Sequence, residues 1–180
     1  MVKTIMLSST KSGSGKSIIA VGSFVKLKDD LGKNPGYFKP IGDKTSMTSK
    51  TRTDKDVNVI TVIVARRFAK EDLCPHFFSP GFFLDEISNP ANAEEEVEEI
   101  LGKIKAGYNN IVSENDIDLM LIEGNHSYSQ YRAINLDDAR MAKEFNAEIV
   151  LCCPVKDDDD INDLVAAYDW YKTQEIPVLG

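Results

Sequence analysis

A stretch near the N-terminus combines small residues, a lysine and a serine in a spacing suited to phosphate chemistry. Gly15, Lys16 and Ser17 end a segment rich in glycine and serine, with an apolar run before it and apolar residues at helical spacing after it. This strand–turn–helix context is the one that a phosphate-binding P-loop requires. Converging backbone N–H groups can hold phosphate oxygens, the lysine can reach the β- and γ-phosphates, and the serine hydroxyl can hold Mg²⁺. The predicted nucleotide-binding residues are Thr10, Lys11, Ser12, Gly13, Ser14, Gly15, Lys16 and Ser17.

Two further charged residues follow short apolar runs and so are predicted at strand ends. Lys39 comes directly after Tyr37 and Phe38, and Glu123 ends the apolar run at 119–122. In an open parallel sheet, ligands bind at the carboxyl ends of the strands. A lysine there could bridge nucleotide phosphate and an acidic acceptor, and a carboxylate there could orient Mg²⁺ directly or through water.

Composition limits the classes of protein to which this chain can belong. Its 180 residues predict one domain, and its net charge of −8 without a basic stripe disfavours a duplex nucleic-acid partner. No run is long and apolar enough to cross a bilayer, and the N-terminus predicts a strand instead of a signal peptide. Cys74, Cys152 and Cys153 have neither a disulfide-framework nor a metal-site spacing, so we expect a cytoplasmic protein.

The elements that must position these residues alternate between strand and helix. This order predicts a three-layer α/β/α arrangement around a mostly parallel sheet, the P-loop nucleoside triphosphate hydrolase fold. The pattern predicts a first helix to about Asp30, a polar loop at 43–55 and a long aromatic loop at 73–83, whose His76 is expected to have no catalytic part. A helix at 57–68 is favoured, with a strand as the alternative because the segment is rich in β-branched residues. Further helices are predicted at 135–145, from 157, and from Asn89 or Asn92 as cap, with strands at 147–155 and 176–180.

The P-loop departs from the simple G-x-x-x-x-G-K-[ST] pattern, because Thr10 replaces its first glycine. The segment from Lys11 resembles the K-G-G-x-G-K-[ST] loop of the MinD, ParA and nitrogenase-iron-protein class. That resemblance implies that Lys11 reaches phosphates across a dimer interface. A solvated loop lysine is an equally weighted alternative for Lys11.

Three segments together resemble dethiobiotin synthetase and the related N-terminal domain of phosphate acetyltransferases. The loop is similar to G-T-D-T-x-V-G-K-T, residues 36–41 to G-Y-x-K-P-[IV], and Glu123 with Gly124 to the start of V-E-G-x-G-G. The resemblance implies that Lys39 contacts the phosphates and a substrate carbamate and that Glu123 binds Mg²⁺. Residues 125–129 depart from the family pattern, which puts the family's diaminopelargonate substrate in doubt.

The same family places a metal-binding aspartate at the start of the helix that follows the polar loop. Asp56 is the first choice for this ligand and Asp54 the second. An acidic helix N-cap is the alternative explanation for either residue.

Two functional hypotheses follow from the resemblance. One is an enzyme that uses Mg-ATP to phosphorylate a carboxylate or carbamate acceptor, or that hydrolyses ATP, with Lys16, Lys39 and Lys11 as catalytic residues and Ser17, Asp56 and Glu123 at the metal. The other is a regulatory domain that senses nucleotide without chemistry of its own. A homodimer is expected under both hypotheses, and ATP and GTP remain alternative nucleotides. Residues 1–180 are expected to form a single domain. Because the family continues beyond the last predicted strand, we also expect that this domain is truncated at its C-terminus.

Overall fold

A computed structural model of the chain describes residues 2–42, 45–48, 51–63, 68–78 and 93–180. The strands are β1 (Lys3–Ser9), β2 (Pro35–Phe38), β3 (Ile41–Gly42), β4 (Thr45–Thr48), β5 (Thr51–Asp54), β6 (His76–Phe77), β7 (Leu119–Glu123) and β8 (Ala147–Cys152). The helices are α1 (Lys16–Asp29), α2 (Lys55–Ile63), α3 (Lys70–Leu73), α4 (Ala93–Asn115), α5 (Asp138–Glu144) and α6 (Asp158–Thr173), with a 3₁₀ turn at Arg132–Ile134.

The central sheet is parallel in every described pairing, which confirms the predicted α/β fold. Its strand order is β2-β7-β1-β8. The ladder between β1 and β7 runs from Lys3 opposite Leu119 to Leu7 opposite Glu123. Residues at the end of the chain extend the sheet beside β8, because Val178 bridges Ile149 in parallel. Three adjacent strands, β1, β2 and β7, therefore end at the same edge of the sheet, where they lead to the P-loop, to Lys39 and to Glu123 respectively.

Helices cover this sheet and enclose an apolar core. Helix α1 contacts β2 and β7, α4 contacts β2, and α5 contacts β8. The ring of Phe38 on β2 packs edge-on against Tyr108 of α4 and against Phe145, which follows α5, each at a centroid distance of 5.6 Å. Such aromatic pairs add about 0.5 to 1.5 kcal/mol beyond the area that they bury. This core fixes the strand that leads to Lys39.

The prediction of a loop without regular structure at 43–55 is wrong for two segments, which form the strands β4 and β5. These strands pair antiparallel, from Thr45 opposite Asp54 to Thr48 opposite Thr51. The physical reason lies in the threonines, which are β-branched and favour extended backbone despite their polarity. The hydrophobic period, which the sequence interpretation used, cannot detect a strand pair of this composition.

Other boundaries differ by a few residues. Helix α2 begins at Lys55, before the predicted start, and residues 64–67 of the predicted helix lie outside the described part. Of the predicted aromatic loop, His76 and Phe77 form β6 and pair with β3, whereas residues 79–83 lie outside the description, as do the predicted caps Asn89 and Asn92. The helix predicted at 135–145 is shorter, because a 3₁₀ turn precedes α5.

Candidate nucleotide site

The P-loop bends sharply between β1 and α1. Gly13 and Gly15 have φ angles of 79° and 86°, in the left-handed region that favours glycine. Gly15 is the residue before the first turn of α1, and its carbonyl accepts a hydrogen bond from Ile19 N at 3.0 Å. The turn thus aims the N-terminus of α1, whose first N–H groups have no partner within the helix itself, at the edge of the sheet.

Lys16 is held against the strand that precedes the loop. Its ammonium donates to the hydroxyl of Ser9, and the residue is buried at 7 % exposure. Ser9 Oγ in turn donates to the carbonyl of His126 at 2.9 Å. The lysine therefore lies inside the loop, in the place from which a P-loop lysine reaches phosphate.

Ser17 and Glu123, both predicted at the metal, contact each other. Ser17 Oγ donates to Glu123 Oε1 at 2.7 Å, and the Tyr37 hydroxyl donates to Glu123 Oε2 at 2.8 Å. Burial raises the pKa of Glu123 above its ordinary value, against the opposing effects of Lys39 and these hydrogen bonds. Burial and the neighbouring Glu123 hold the pKa of Tyr37 well above its ordinary value, so its hydroxyl stays protonated and donates.

Lys39 stands at the centre of a cluster of three carboxylates, of which Asp54 and Glu123 are buried. Its Nζ lies 3.1 Å from Asp56 Oδ2, 3.3 Å from Asp54 Oδ1 and 3.7 Å from Glu123 Oε1. The lysine is only 2 % exposed. An ammonium and several carboxylates away from water stabilise one another only when they remain together, because each charge alone would be costly to bury.

The two candidate aspartates have different surroundings. Asp54 is fully buried, and its Oδ1 accepts from the backbone N of Asp56 at 2.8 Å, so it caps the start of α2. The Asp56 side chain is 35 % exposed and lines the cavity beside the P-loop. The geometry therefore favours Asp56 over Asp54 as a residue that can face a bound ion.

These side chains surround one open cavity of about 260 Å³. Lys16, Lys39, Asp56 and Glu123 supply its charged groups. The remaining lining residues are Ser12, Gly13, Ser14, Gly15, Ser17, Ile18, Gly124 and His126. All the predicted nucleotide-binding residues except Thr10 and Lys11 line this cavity.

Lys11 points elsewhere. Its ammonium pairs with the carboxylate of Asp160 in the first turn of α6. Asp160 is buried and also accepts from the backbone N of Lys156 at 2.7 Å. The Lys11 side chain, 44 % exposed, thus connects the start of the loop to α6 of the same chain.

The oxygen ligands at this edge suit Mg²⁺. A hydroxyl on Ser17 and carboxylates on Glu123 and Asp56 are hard oxygen donors, which Mg²⁺ prefers over nitrogen or sulfur. Among the described residues, no group of three or more His, Cys, Asp and Glu side chains forms a metal cage by itself. Mg²⁺ is commonly held by one or two carboxylates together with phosphates and water.

An apolar cavity of about 270 Å³ adjoins the first. Ser17, Ile18, Asp56 and Glu123 line both cavities. The second is otherwise lined by Val21, Tyr37, Val59 and Ile60. Its charged end thus coincides with the candidate metal ligands.

The sequence interpretation missed some residues that matter here. The sequence predicts Tyr37 only as part of a strand, although its hydroxyl donates a hydrogen bond to Glu123. His126 lies in the segment 125–129 that departs from the family pattern, yet it lines the cavity. Ser12 Oγ lies 3.5 Å from His126 Nδ1. Since His126 follows Glu123 by only a few residues at the same sheet edge, its position along the chain was the available signal.

Comparison with solved structures finds the same fold. The BceF tyrosine kinase domain superposes with a TM-score of 0.51 at 15% identity, covering 99% of this chain and 66% of that one. The chimerical protein CapA2B2 gives a TM-score of 0.52 at 11% identity, covering 100% of this chain and 74% of that one. This chain therefore spans about two thirds of the length of the first structure. At such identities the likeness concerns the fold alone.

A family model described as an AAA domain, AAA_26, matches residues 3–180. The match includes the P-loop, Lys39 and Glu123. No helix within the described ranges has the length and hydropathy needed to span a membrane.

Proposed function

This chain belongs to the AAA_26 family of P-loop nucleotide-binding domains, and we propose that it binds Mg-ATP and transfers the γ-phosphoryl group to a carboxylate or carbamate acceptor. The observation that carries the proposal is the position of Lys39, which faces Asp56 and Glu123 at the edge where the P-loop begins α1. A nucleotide-binding loop alone would not need a buried lysine there.

The roles follow from the cavity. Backbone N–H groups of residues 12–17 would hold the phosphates, and Lys16 would move from Ser9 to the β- and γ-phosphates. Ser17, Asp56 and Glu123 would hold Mg²⁺, which neutralises charge on the phosphate oxygens. Lys39 would then place its ammonium between the γ-phosphate and the acceptor. Positioning and electrostatic stabilisation account for most of the acceleration in such transfers.

The apolar cavity supports an acceptor with a hydrocarbon part. Val21, Val59 and Ile60 line its walls, and its polar end is shared with the phosphate cavity. Small-molecule sites commonly combine apolar walls with a few polar groups. An acceptor seated there would present its carboxylate or carbamate toward Lys39.

Lys11 would take part only after leaving Asp160. As the structure stands, the ammonium is paired within the chain. A role across a homodimer interface therefore requires that phosphate replace the carboxylate of Asp160. The homodimer itself is supported by exposed apolar side chains, among them Ile18, which lines the cavity, and Val62 of α2, each at 79 % exposure.

The first test is calorimetric titration of Mg-ATP and Mg-GTP into the protein and into Lys16→Ala. We expect the variant to bind at least about tenfold more weakly, because a charge-assisted contact to phosphate is lost. Lys26→Ala is the matched control, since Lys26 lies on the same helix and pairs with the exposed Asp30. Equal affinity of all three proteins would contradict a working P-loop.

The second test measures ADP release in the presence of two sets of acceptors, alkyl carboxylates and carbamates derived from alkyl amines. We expect stimulation by an acceptor in the wild type and none in Lys39→Met.

A regulatory domain that senses nucleotide is the second candidate. It is favoured by the segment after Glu123, which is fixed to β1 and leaves His126 against the P-loop cavity. Tyr128 N donates to the carbonyl of Ser9 at 2.7 Å. Tight Mg-ATP binding with slow turnover under every acceptor tested would support this candidate over the enzyme.

A further inference from the structure

Asp138 is a fully buried carboxylate that the proposed chemistry does not use. It is the first residue of α5 and lies behind the P-loop. Its Oδ2 accepts from Ser8 Oγ at 2.5 Å, and its Oδ1 accepts from the backbone N of Asn125 at 2.8 Å. Both oxygens are therefore committed to groups at the carboxyl ends of strands.

These two partners lie at the carboxyl ends of β1 and β7, two of the three strands that lead to the site. Ser8 is near the end of β1, directly before the P-loop, and Asn125 follows Glu123 by two residues at the end of β7. The ladder between these strands ends at Leu7 and Glu123, followed by a hydrogen bond from Gly124 N to the carbonyl of Leu7 at 2.9 Å. Beyond that point, the Asp138 carboxylate joins the two chain segments.

The backbone directly after β7 approaches Asp138 very closely. A Cβ atom on Gly124 would lie 2.4 Å from Asp138 Oδ2 and 2.9 Å from the carbonyl oxygen of Leu7. The carboxylate thus occupies the space that a side chain at position 124 would need. This contact fixes the backbone directly after Glu123.

Helix capping does not account for Asp138. The N-cap of α5 is Asp137, whose Oδ1 accepts from Arg140 N at 3.0 Å and whose Oδ2 pairs with Arg132. A carboxylate without solvent and without a full countercharge is costly to bury. Because the helix has its cap already, the cost has to be offset by what Asp138 holds in place.

The surroundings of Asp138 include few charged groups. Lys16 of α1 and the adjacent Asp137 act on it through their charges. On the side of α6, the Tyr171 hydroxyl donates to Ser8 Oγ at 2.7 Å, which leaves the Ser8 proton for Asp138. Burial raises the pKa of Asp138 to about 7.

We infer that Asp138 is a positioning residue, which joins the ends of β1 and β7 and thereby holds Glu123 at a fixed place opposite the P-loop. The inference rests on the proposed function in one respect, because it takes Glu123 as a ligand of the nucleotide's Mg²⁺. Asp138 does not line the nucleotide cavity, and it is not among the residues proposed to hold the ion. Its loss should therefore reduce the part of the ATP affinity that depends on Mg²⁺ and spare the part that the P-loop supplies alone.

The experiment compares ATP affinity in Mg²⁺ and in EDTA, by calorimetry, for wild type, Asp138→Ala, Asp138→Asn and Asp137→Asn. We expect Asp138→Ala to lower the gain in affinity from Mg²⁺ by about tenfold while its affinity in EDTA changes by less than about twofold. Asp138→Asn should lie between, because its amide oxygen can still accept from Asn125 N. Asp137→Asn, the matched control at the adjacent position, should keep the wild-type gain.

A pH series adds a readout that a purely structural role would not change. In the wild type, relative to Asp138→Asn, the gain from Mg²⁺ should rise as the pH increases through about 7, because the ionised carboxylate makes the stronger hydrogen bonds. If Asp138→Ala does not fold, Asp138→Asn and this pH series decide.

The failures are distinguishable. A wild type that does not bind ATP in either buffer contradicts the proposed function. A wild type that binds with a clear Mg²⁺ gain, which both Asp138 variants retain at every pH, overturns the inference about Asp138 alone.

Discussion

The charge on Lys39 holds the candidate site together. We predict that Lys39→Met lowers the free energy of unfolding by about 3 kcal/mol near neutral pH, because buried carboxylates lose their countercharge. Urea denaturation measures this change. The control is Lys3→Met, since Lys3 is 58% exposed beside Glu148 and should contribute less than about 1 kcal/mol.

The same variant has a defined pH dependence. Burial already raises the pKa of Glu123 above its ordinary value of 4.5, and Lys39 opposes that shift. Without Lys39 the folded protein would hold the Glu123 proton to higher pH, so stability falls more steeply as the pH rises above that ordinary value. The deficit of Lys39→Met should therefore be smaller in acid than at neutral pH, and an equal deficit at all pH values would contradict the assignment.

Asp138 gives a second stability prediction at the scale of one residue. Its pKa is about 7 in the folded protein and ordinarily 3.8, so the folded state binds the proton more strongly between these values. Stability of the wild type should fall as the pH rises through this window, by up to an amount on the order of 4 kcal/mol. Asp138→Asn should lack this fall. Parallel urea titrations across the window measure the difference between the two curves.

At the scale of elements, the close approach of β7 to α5 leaves no room for a side chain. Gly124→Ala should destabilise the protein by about 1 to 3 kcal/mol, because the methyl group would overlap Asp138 Oδ2 and the Leu7 carbonyl. Gly22→Ala is the control within α1, where a Cβ would meet nothing within 4 Å. That control should stabilise the helix by about 0.5 to 1 kcal/mol. Thermal unfolding of both variants would contradict the packing argument if their effects had the same sign.

The elements also explain which parts of the site could be predicted from the sequence. The P-loop, Lys39 and Glu123 each follow an apolar strand, so their placement at one sheet edge required only a parallel sheet. Asp54 and Tyr37 complete the cluster through tertiary contacts to Lys39 and Glu123, and no local pattern specifies such partners.

The failures have physical causes as well. The pair β4 and β5 lacks the apolar alternation from which strands are detected, although its threonines favour extended backbone. In the sequence, Asp138 and Asp137 are two adjacent acidic residues at a helix start, and nothing distinguishes them. Only the burial of Asp138 and its contact with Ser8 show that its role differs. For Lys11 the sequence leaves two alternatives, a lysine that reaches phosphates across a dimer interface and a solvated loop lysine. Its pairing with Asp160 depends on where the fold places α6, which no local pattern specifies.

For the whole molecule, we predict association that depends on nucleotide. Ile18 of α1 lines the phosphate cavity and is 79 % exposed, and Val62 of α2 is an apolar side chain with the same exposure. Sedimentation velocity should show a shift toward dimer on addition of Mg-ATP. Val62→Asp should remain monomeric and bind Mg-ATP more weakly than the wild type, because the coupling between nucleotide binding and association is reciprocal. A wild type that stays monomeric with saturating nucleotide would contradict the homodimer.

The ion pairs of Lys39 also have a consequence for how the protein responds to its solution. Its ammonium is 2 % exposed and lies 3.1 to 3.7 Å from three carboxylates, so mobile ions screen these pairs less than they screen exposed ones. If a divalent ion takes the carboxylates of Asp56 and Glu123, as proposed, the positive charge of Lys39 would become available to phosphate with little further dehydration. We expect this exchange of partners to depend less on ionic strength than recognition by exposed lysines does.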